Sequence, residues 1–316
     1  MFPSGVSMLW ESIDATEAFR SRFGFTGFDQ GSSWLTSTLR DRWALTVLHC
    51  ERIVISDQNA IAWVEVEEGG QTLICKWSGA EARFAKLAAT TDLISALAER
   101  GVPVAAPILS RSGQGREVIA GPSRPFSVSV QPVVEGAPLD VADDAAVRRA
   151  GAHLARLHQA MAELPTASAE LAHRAPHVDL RTRVLDWMAG SSRPPDSDGR
   201  LLRDLSALPA LDVGPQAVHN DYRSANLVTR DSQVVAILDF DEVAWDHPVS
   251  DLAHAGVYLG TLFREWGPTS AAARQILLEG YESVRALTGP EREWFGFLTS
   301  WYSILAGWPL VGEQDR

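Results

Sequence analysis

HNDYRSANLV (His219–Val228), followed by the Asp239 that closes the apolar run in VVAILDFDEVAW, is the stretch on which the reading of this chain turns. It places a His, an Asp and an Asn within eight residues and ends the next strand-like segment on Leu-Asp-Phe-Asp. Polar groups of this kind are costly near a core unless each has a partner or a task. Asp221 and Asn226 stand five apart on what reads as a loop, between the short apolar run QAV and the strand start LV. A hairpin sets the start of one strand beside the end of the next, so Asn226 and Asp239 converge on one point. Two oxygen ligands, with room left for water and phosphate oxygens, is how Mg²⁺ is usually held. Asp221 then faces the hydroxyl to be activated. The plainer reading is a polar turn satisfied by its own backbone; the correlated spacing of four polar residues speaks against it.

Upstream, the texture is β-like from Arg42: ALTVLHCERIVIS, AIAWVEVEEGG and QTLICKW, the last two joined at Glu68-Gly69-Gly70 by a hairpin turn. Residues 81–100 predict an amphipathic helix on Phe84, Leu87, Leu93, Ile94 and Leu97, capped by Gly101. VPVAAPILS and PFSVSVQPVV predict further extended segments, and residues 1–40 a helical extension broken at FDQGSSW. After Gly136 the texture turns helical. Residues 140–164 predict a helix capped by Asp140 with a stripe of Leu154, Leu157 and Met161. RTRVLDWMAG predicts another and SSRPPDSDG a surface loop; three more helices are expected near 250–264, 269–287 and 290–306.

At 316 residues, two lobes are the natural expectation. A hydrophobic content of 46% and a charged content of 22% suit a globular protein. No apolar run reaches the roughly 18 residues of a membrane helix, and the N-terminus has neither a basic region nor a signal-peptide core. A cytoplasmic protein without membrane contact is expected. A net charge of −12 argues against a nucleic-acid surface. Cys50 and Cys75, both in apolar surroundings, read as small buried hydrophobes. Of the 28 basic residues only Lys76 and Lys86 are lysines. Where arginine serves at ordinary positions, a lysine inside TLICKW asks for a chemical reason. Its compact point charge suits a tight site that a planar fork does not.

His219-x-Asp221-x4-Asn226, Asp239 within LDFD, and WDHPVSDLA ending near Asp251 together resemble the aminoglycoside phosphotransferase and choline kinase family. The resemblance extends to Lys76, the helix before GVPVAAP and the hinge-like VQPVVEGAPL, and covers most of residues 50–265. It implies an α+β, bilobal protein-kinase-like fold: a small antiparallel sheet lobe with one helix over 41–132, and a larger, mainly helical lobe over 133–316. It also implies ATP- or GTP-dependent phosphoryl transfer to a small-molecule hydroxyl acceptor, where catalysis is mostly positioning and charge stabilisation. In that pattern Asp221 is the base, with His219 beside it, and Asn226 and Asp239 hold Mg²⁺ on the nucleotide. Lys76 meets the α- and β-phosphates, and the Ser56–Asn59 loop covers them. Gln131 and Val133 offer backbone groups to adenine, since Pro132 has no N–H. Asp251 braces the catalytic loop, and a monomer or homodimer is expected.

Two positions depart from the pattern. The helix carboxylate that usually pairs with the lysine falls near Thr90; Asp92 is the nearest acid, shorter and turned around the helix. Arg223 stands where many of these enzymes have histidine, and its charge could neutralise the transferring phosphoryl group. Asp241 is a reserve metal ligand and Glu242 reads as solvated. Trp294, Trp301 and Trp308 recur every seven residues, which favours core packing over a cation–π wall for an amine. Two other readings stand beside the kinase: a non-catalytic nucleotide-binding pseudokinase, for which the missing carboxylate argues, and a metal hydrolase built on His219, Asp221, Asp239 and Asp241.

Overall fold

Alternating burial builds the first half of the chain around a sheet. Strands β2 (Val47–Ile55), β3 (Asn59–Val66) and β4 (Thr72–Ser78) form a meander, and β6 (Pro125–Pro132) and β5 (Arg116–Ala120) extend it in the order β1-β2-β3-β4-β6-β5. All neighbours are antiparallel except β1 (Gly5–Met8), which runs parallel to β2 with Gly5 opposite Arg52. The computed structural model describes residues 4–164, 179–190, 199–262 and 266–307. The chain divides into two compact units, Met1–Glu135 and Gly136–Arg316.

Residues 1–40 differ from the expected extension. Helices α1 (Ala15–Phe23) and α2 (Phe28–Trp43) cover one sheet face, and Phe19, Phe23, Phe25, Leu35 and Leu39 share a single core with Cys75, Trp77, Val128 and Val130. FDQGSSW is no break; it is the first turns of α2. Gly31 is there for contact: a Cβ would stand 2.7 Å from the Phe19 ring. Helix propensity lost at that glycine, about 1 kcal/mol, is offset by the close approach of the two helices.

The Glu68–Gly70 turn joins β3 to β4 as expected, with Gly69 and Gly70 at φ +75° and +59°. Helix α3 (Phe84–Glu99) is closed by Gly101, whose φ of +74° turns the chain so that the Val102 N–H reaches the Leu97 carbonyl at 3.1 Å. VPVAAPILS is irregular instead of a strand, since Pro103 and Pro107 remove two ladder donors. Strand β5 has no counterpart among the expected segments. Cys50 and Cys75 are buried free thiols, and burial pushes Cys50 up to about 11.

In the second unit, α4 (Asp144–Ala162) is capped by Asp143, which accepts from the N–H groups of Ala145 and Ala146, and not by Asp140. Asp140 accepts from Ala142 in the turn before it. Leu154, Leu157 and Met161 are buried as the stripe requires. A short strand β7 (Ala137–Pro138) joins the hairpin of β9 (Leu227–Arg230) and β10 (Gln233–Ile237), while β8 (Gln216–Val218) pairs antiparallel with β11 (Ala244–Asp246). Around them lie α5 (Leu180–Gly190), α6 (Arg200–Ala207), α7 (Pro248–Tyr258), α8 (Ala271–Glu282) and α9 (Gly289–Leu305). Trp294 and Trp301 are core residues packed with Val184, Leu205, Val249 and Leu298. Trp308, residues 191–198 of the expected surface loop and residues 263–264 of the expected helix lie outside the described residues. No described helix is long and apolar enough to cross a membrane.

Candidate active site

Strand pairing assembles the site. β8 and β11 pair antiparallel, with Gln216 opposite Asp246, and helix α7 follows β11 after one residue. Asp251, in the first turn of α7 and buried, takes hold of that loop. Its Oδ2 accepts from the His219 N–H at 3.0 Å and its Oδ1 from the Asn220 N–H at 2.9 Å. His158 of α4, 1% exposed, bonds Asp251 Oδ2 through Nε2 at 3.0 Å and the Tyr281 hydroxyl through Nδ1 at 2.8 Å. Burial opposes the charge on Asp251, and the hydrogen bond and charge of His158 more than offset it, holding the carboxyl below its ordinary range.

His219 is fully buried. Its Nε2 donates to the Leu238 carbonyl at 3.1 Å and its Nδ1 accepts from the Asp221 N–H at 3.2 Å. A carbonyl only accepts and a backbone N–H only donates, so the ring is the neutral Nε2–H tautomer. Both nitrogens are occupied and the ring packs 4.7 Å from Phe240. His219 is therefore a brace and not a proton carrier, which corrects the expectation of a catalytic role.

Asn220 at φ +62° turns the chain so that Asp221 projects from the loop. Asp221 Oδ1 accepts from Arg223 Nε at 2.9 Å, and Oδ2 from Asn226 Nδ2 at 2.7 Å. The same Nδ2 donates to the Asp221 carbonyl at 2.8 Å. Burial raises the Asp221 carboxyl; Arg223 lowers it and Asp239 raises it, and the net direction is upward. With Nδ2 given to Asp221, the acceptor left on buried Asn226 is its amide oxygen. The hairpin brings the partner: Leu227 lies opposite Ile237, and the Leu238 N–H donates to the Asn226 carbonyl at 2.8 Å. Asp239 follows at φ +58° and ψ +71°, with its side chain exposed. Left-handed backbone at a non-glycine residue is uncommon, and it falls here on both Asn220 and Asp239. An amide oxygen and a carboxylate on one hairpin are hard ligands that fit Mg²⁺ with open positions.

Among the described residues no group of three or more His, Cys, Asp and Glu side chains could hold a metal ion. Arg223 is stacked 5.7 Å from the exposed ring of Trp266, and its Nη1 is buried with no hydrogen bond among the described residues. Sequence reading missed His158; the available signal was a histidine on the stripe between Leu154 and Met161.

The first unit holds the other expected residues, on and beside its sheet and on α3. Half-buried Lys76 sits in β4 opposite Ile61 and Ser129. Ser56 and Asn59 close a tight turn, with the Ser56 N–H on the Asn59 carbonyl at 2.8 Å. Ser56 is buried. Gln131 lies in β6, and the Val133 N–H donates to Thr72 at 3.3 Å, so that group is not on offer to a base. Asp92 lies on the exposed side of α3; the buried positions of that turn are Thr90 and Thr91.

The model of the phosphotransferase enzyme family matches residues 56–292. A homoserine kinase from Gluconacetobacter diazotrophicus is 32% identical over 208 residues, 63% of this chain and 61% of that protein. The chain thus spans about three-fifths (61%) of the length of the curated relative it matches. Among solved structures, a macrolide 2'-phosphotransferase from Brachybacterium faecium aligns at a TM-score of 0.58 with 19% identity, over 87% of this chain and 93% of that one. An amicoumacin kinase in complex with AMP-PNP and Ca²⁺ aligns at 0.58 with 17% identity, over 95% and 92%. A microcompartment-associated aminopropanol kinase aligns at 0.59 with 17% identity, over 88% of each chain. At such identities these structures establish a shared fold.

Proposed function

The chain belongs to the phosphotransferase enzyme family, and we propose that it is a small-molecule kinase that moves the γ-phosphate of ATP or GTP to a hydroxyl of its acceptor. The observation that supports this is Asn226: its amide nitrogen grips Asp221, its backbone carbonyl receives the N–H of Leu238, the residue before Asp239, and its amide oxygen remains as an acceptor. On this reading the base stands on the loop before the hairpin and the two hard ligands flank its strands. Asp221, raised by burial, accepts the acceptor's proton. Mg²⁺, held by Asn226 and Asp239, would supply charge neutralisation on the phosphates. Arg223 lies one ion pair from the base and adds positive charge on the same side.

The relatives and neighbours are named for homoserine, aminopropanol, macrolides and amicoumacin. These names support a small hydroxylated acceptor, either an amine-bearing metabolite or an antibiotic such as an aminoglycoside. The pseudokinase reading has one argument, the exposed Asp92 in place of an inward carboxylate. Lys76, Asp221, Asn226 and Asp239 are all present against it.

Two results are expected. Asp239→Ala should abolish ADP formation and leave nucleotide binding insensitive to Mg²⁺; full activity in EDTA would overturn the metal assignment. Lys76→Arg should raise the ATP KM nearly as much as Lys76→Ala, because a bulkier fork displaces phosphates from a site shaped for a point charge. An arginine variant with wild-type ATP KM and kcat would contradict the assignment of Lys76.

A further inference from the structure

The sheet face that carries Lys76 is polar along one cross-strand row. Lys76 of β4 pairs with Ser129 of β6, and Ser129 pairs in turn with Arg116 of β5. Side chains of directly paired residues share a face, so a lysine, a serine and an arginine line up over two strand spacings, about 10 Å. The opposite face is the apolar one, where Cys75, Trp77, Val128, Val130 and Ile119 join the core of α1 and α2. The row is thus a polar line on a sheet whose other side is dry.

Arg116 reaches from this row to the helix. Its Nε donates to Thr91 Oγ1 of α3 at 2.9 Å, and its Nη2 to Ser129 Oγ at 3.0 Å. Its Nη1 donates to the carbonyl and hydroxyl of Ser127 at 3.2 and 3.3 Å. On the helix side, buried Thr91 gives its own proton to the Leu87 carbonyl at 2.8 Å, which leaves its oxygen to accept from Arg116. Gly115 permits the approach, since a Cβ there would stand 2.9 Å from Thr91 Cγ2. Three nitrogens in three directions need a planar fork; a lysine carries its donors on a single nitrogen and does not span these partners.

We propose that Arg116 is a positioning residue for nucleotide binding: it clamps α3 to β5 and β6 through Thr91, Ser127 and Ser129 and so holds the strand row on which Lys76 stands. The helix is then seated by hydrogen bonds to an arginine of the sheet, in a chain whose Asp92 lies on the exposed side of that helix. This rests on the reading of Lys76 as a phosphate contact.

The test compares Arg116→Ala and Arg116→Lys with the parent in the full-length protein. Three quantities are measured: the AMP-PNP Kd with Mg²⁺, kcat for ADP release, and amide hydrogen exchange across residues 84–99. Arg116→Ala is expected to weaken AMP-PNP about tenfold with kcat changed less than about threefold, the pattern of lost uniform binding. Exchange in α3 should rise about tenfold over the protein with Arg116 intact. Arg116→Lys should recover neither. Unchanged AMP-PNP affinity in Arg116→Ala, or full recovery in Arg116→Lys, would overturn the proposal. Should Arg116→Ala not fold, Thr91→Val and Ser129→Ala each remove one acceptor, and unchanged AMP-PNP affinity in both would overturn it equally. If the parent protein binds no nucleotide, the kinase reading falls; α3 exchange unaltered by Arg116→Ala would separately refute the clamp.

Discussion

Asp221→Asn is expected to lower kcat by about 10²–10⁴-fold, the usual contribution of a positioned general base, with nucleotide affinity nearly unchanged. Asparagine keeps the shape and can still meet Arg223 or Asn226 with its oxygen, so the fold around the loop should persist. What is lost is the carboxylate that takes the acceptor's proton. The pH profile supplies a second check. The base must be ionised, so the rate falls on the acid side as pH drops through the Asp221 pKa. Burial raises that pKa, against the pull of Arg223. The acid limb of kcat/KM should therefore lie above the ordinary aspartate value of about 3.9. Arg223→Met removes the lowering charge and should move the limb to still higher pH. A limb that moves down, or an Asp221→Asn enzyme with parental kcat, would remove Asp221 from the chemistry.

Asp251→Ala is expected to destabilise the protein by about 3–5 kcal/mol, the cost of breaking a buried pair by removing one partner. The loss strands His158 and two backbone donors, those of His219 and Asn220, in a site where Asp251 and His158 are both buried. Against a total stability of about 5–15 kcal/mol, that is a fall in Tm of roughly 10 °C for a chain of this size. Stability should also depend on pH in a defined sense. The folded-state pKa of Asp251 lies below its unfolded value. Its contribution is thus fully present above about 3.9 and is lost as pH falls from there through the folded-state value. Thermal denaturation measured from pH 7 to pH 3 checks both. A Tm shift under about 2 °C at pH 7 would show that the brace is not structural.

The β9–β10 hairpin was legible because its logic is local. Spacing sets Asn226 against Leu238, one residue before Asp239, and the period-two pattern of β2 to β4 is a direct image of a sheet with one dry face. The parts that were not legible depend on distant partners. Gly31 and the serines of α2 read as a break because only the ring of Phe19, brought in by another helix, explains the glycine. β1 is four residues long and gains its place by pairing with β2, which no short run could announce. Asp140 and Asp143 are equivalent caps on paper; the register of α4 decides between them. His219 looked like a reagent because histidines at such sites often are, and only the two fixed partners on its nitrogens reveal a brace. His158 and Arg116 act across the fold, on Asp251 and Thr91, at sequence separations of 93 and 25 residues.

ADP release measured over a panel of amino alcohols, aminoglycosides and macrolides tests the kinase reading most directly, with Mg²⁺ or EDTA and with Asp221→Asn as the blank. The account predicts that at least one hydroxylated acceptor raises ADP release by about 10²-fold or more over the acceptor-free rate, that EDTA abolishes this, and that Asp221→Asn does not show it. Nucleotide binding without acceptor-stimulated release from any compound, or release that is equal in the Asp221→Asn protein, would contradict it.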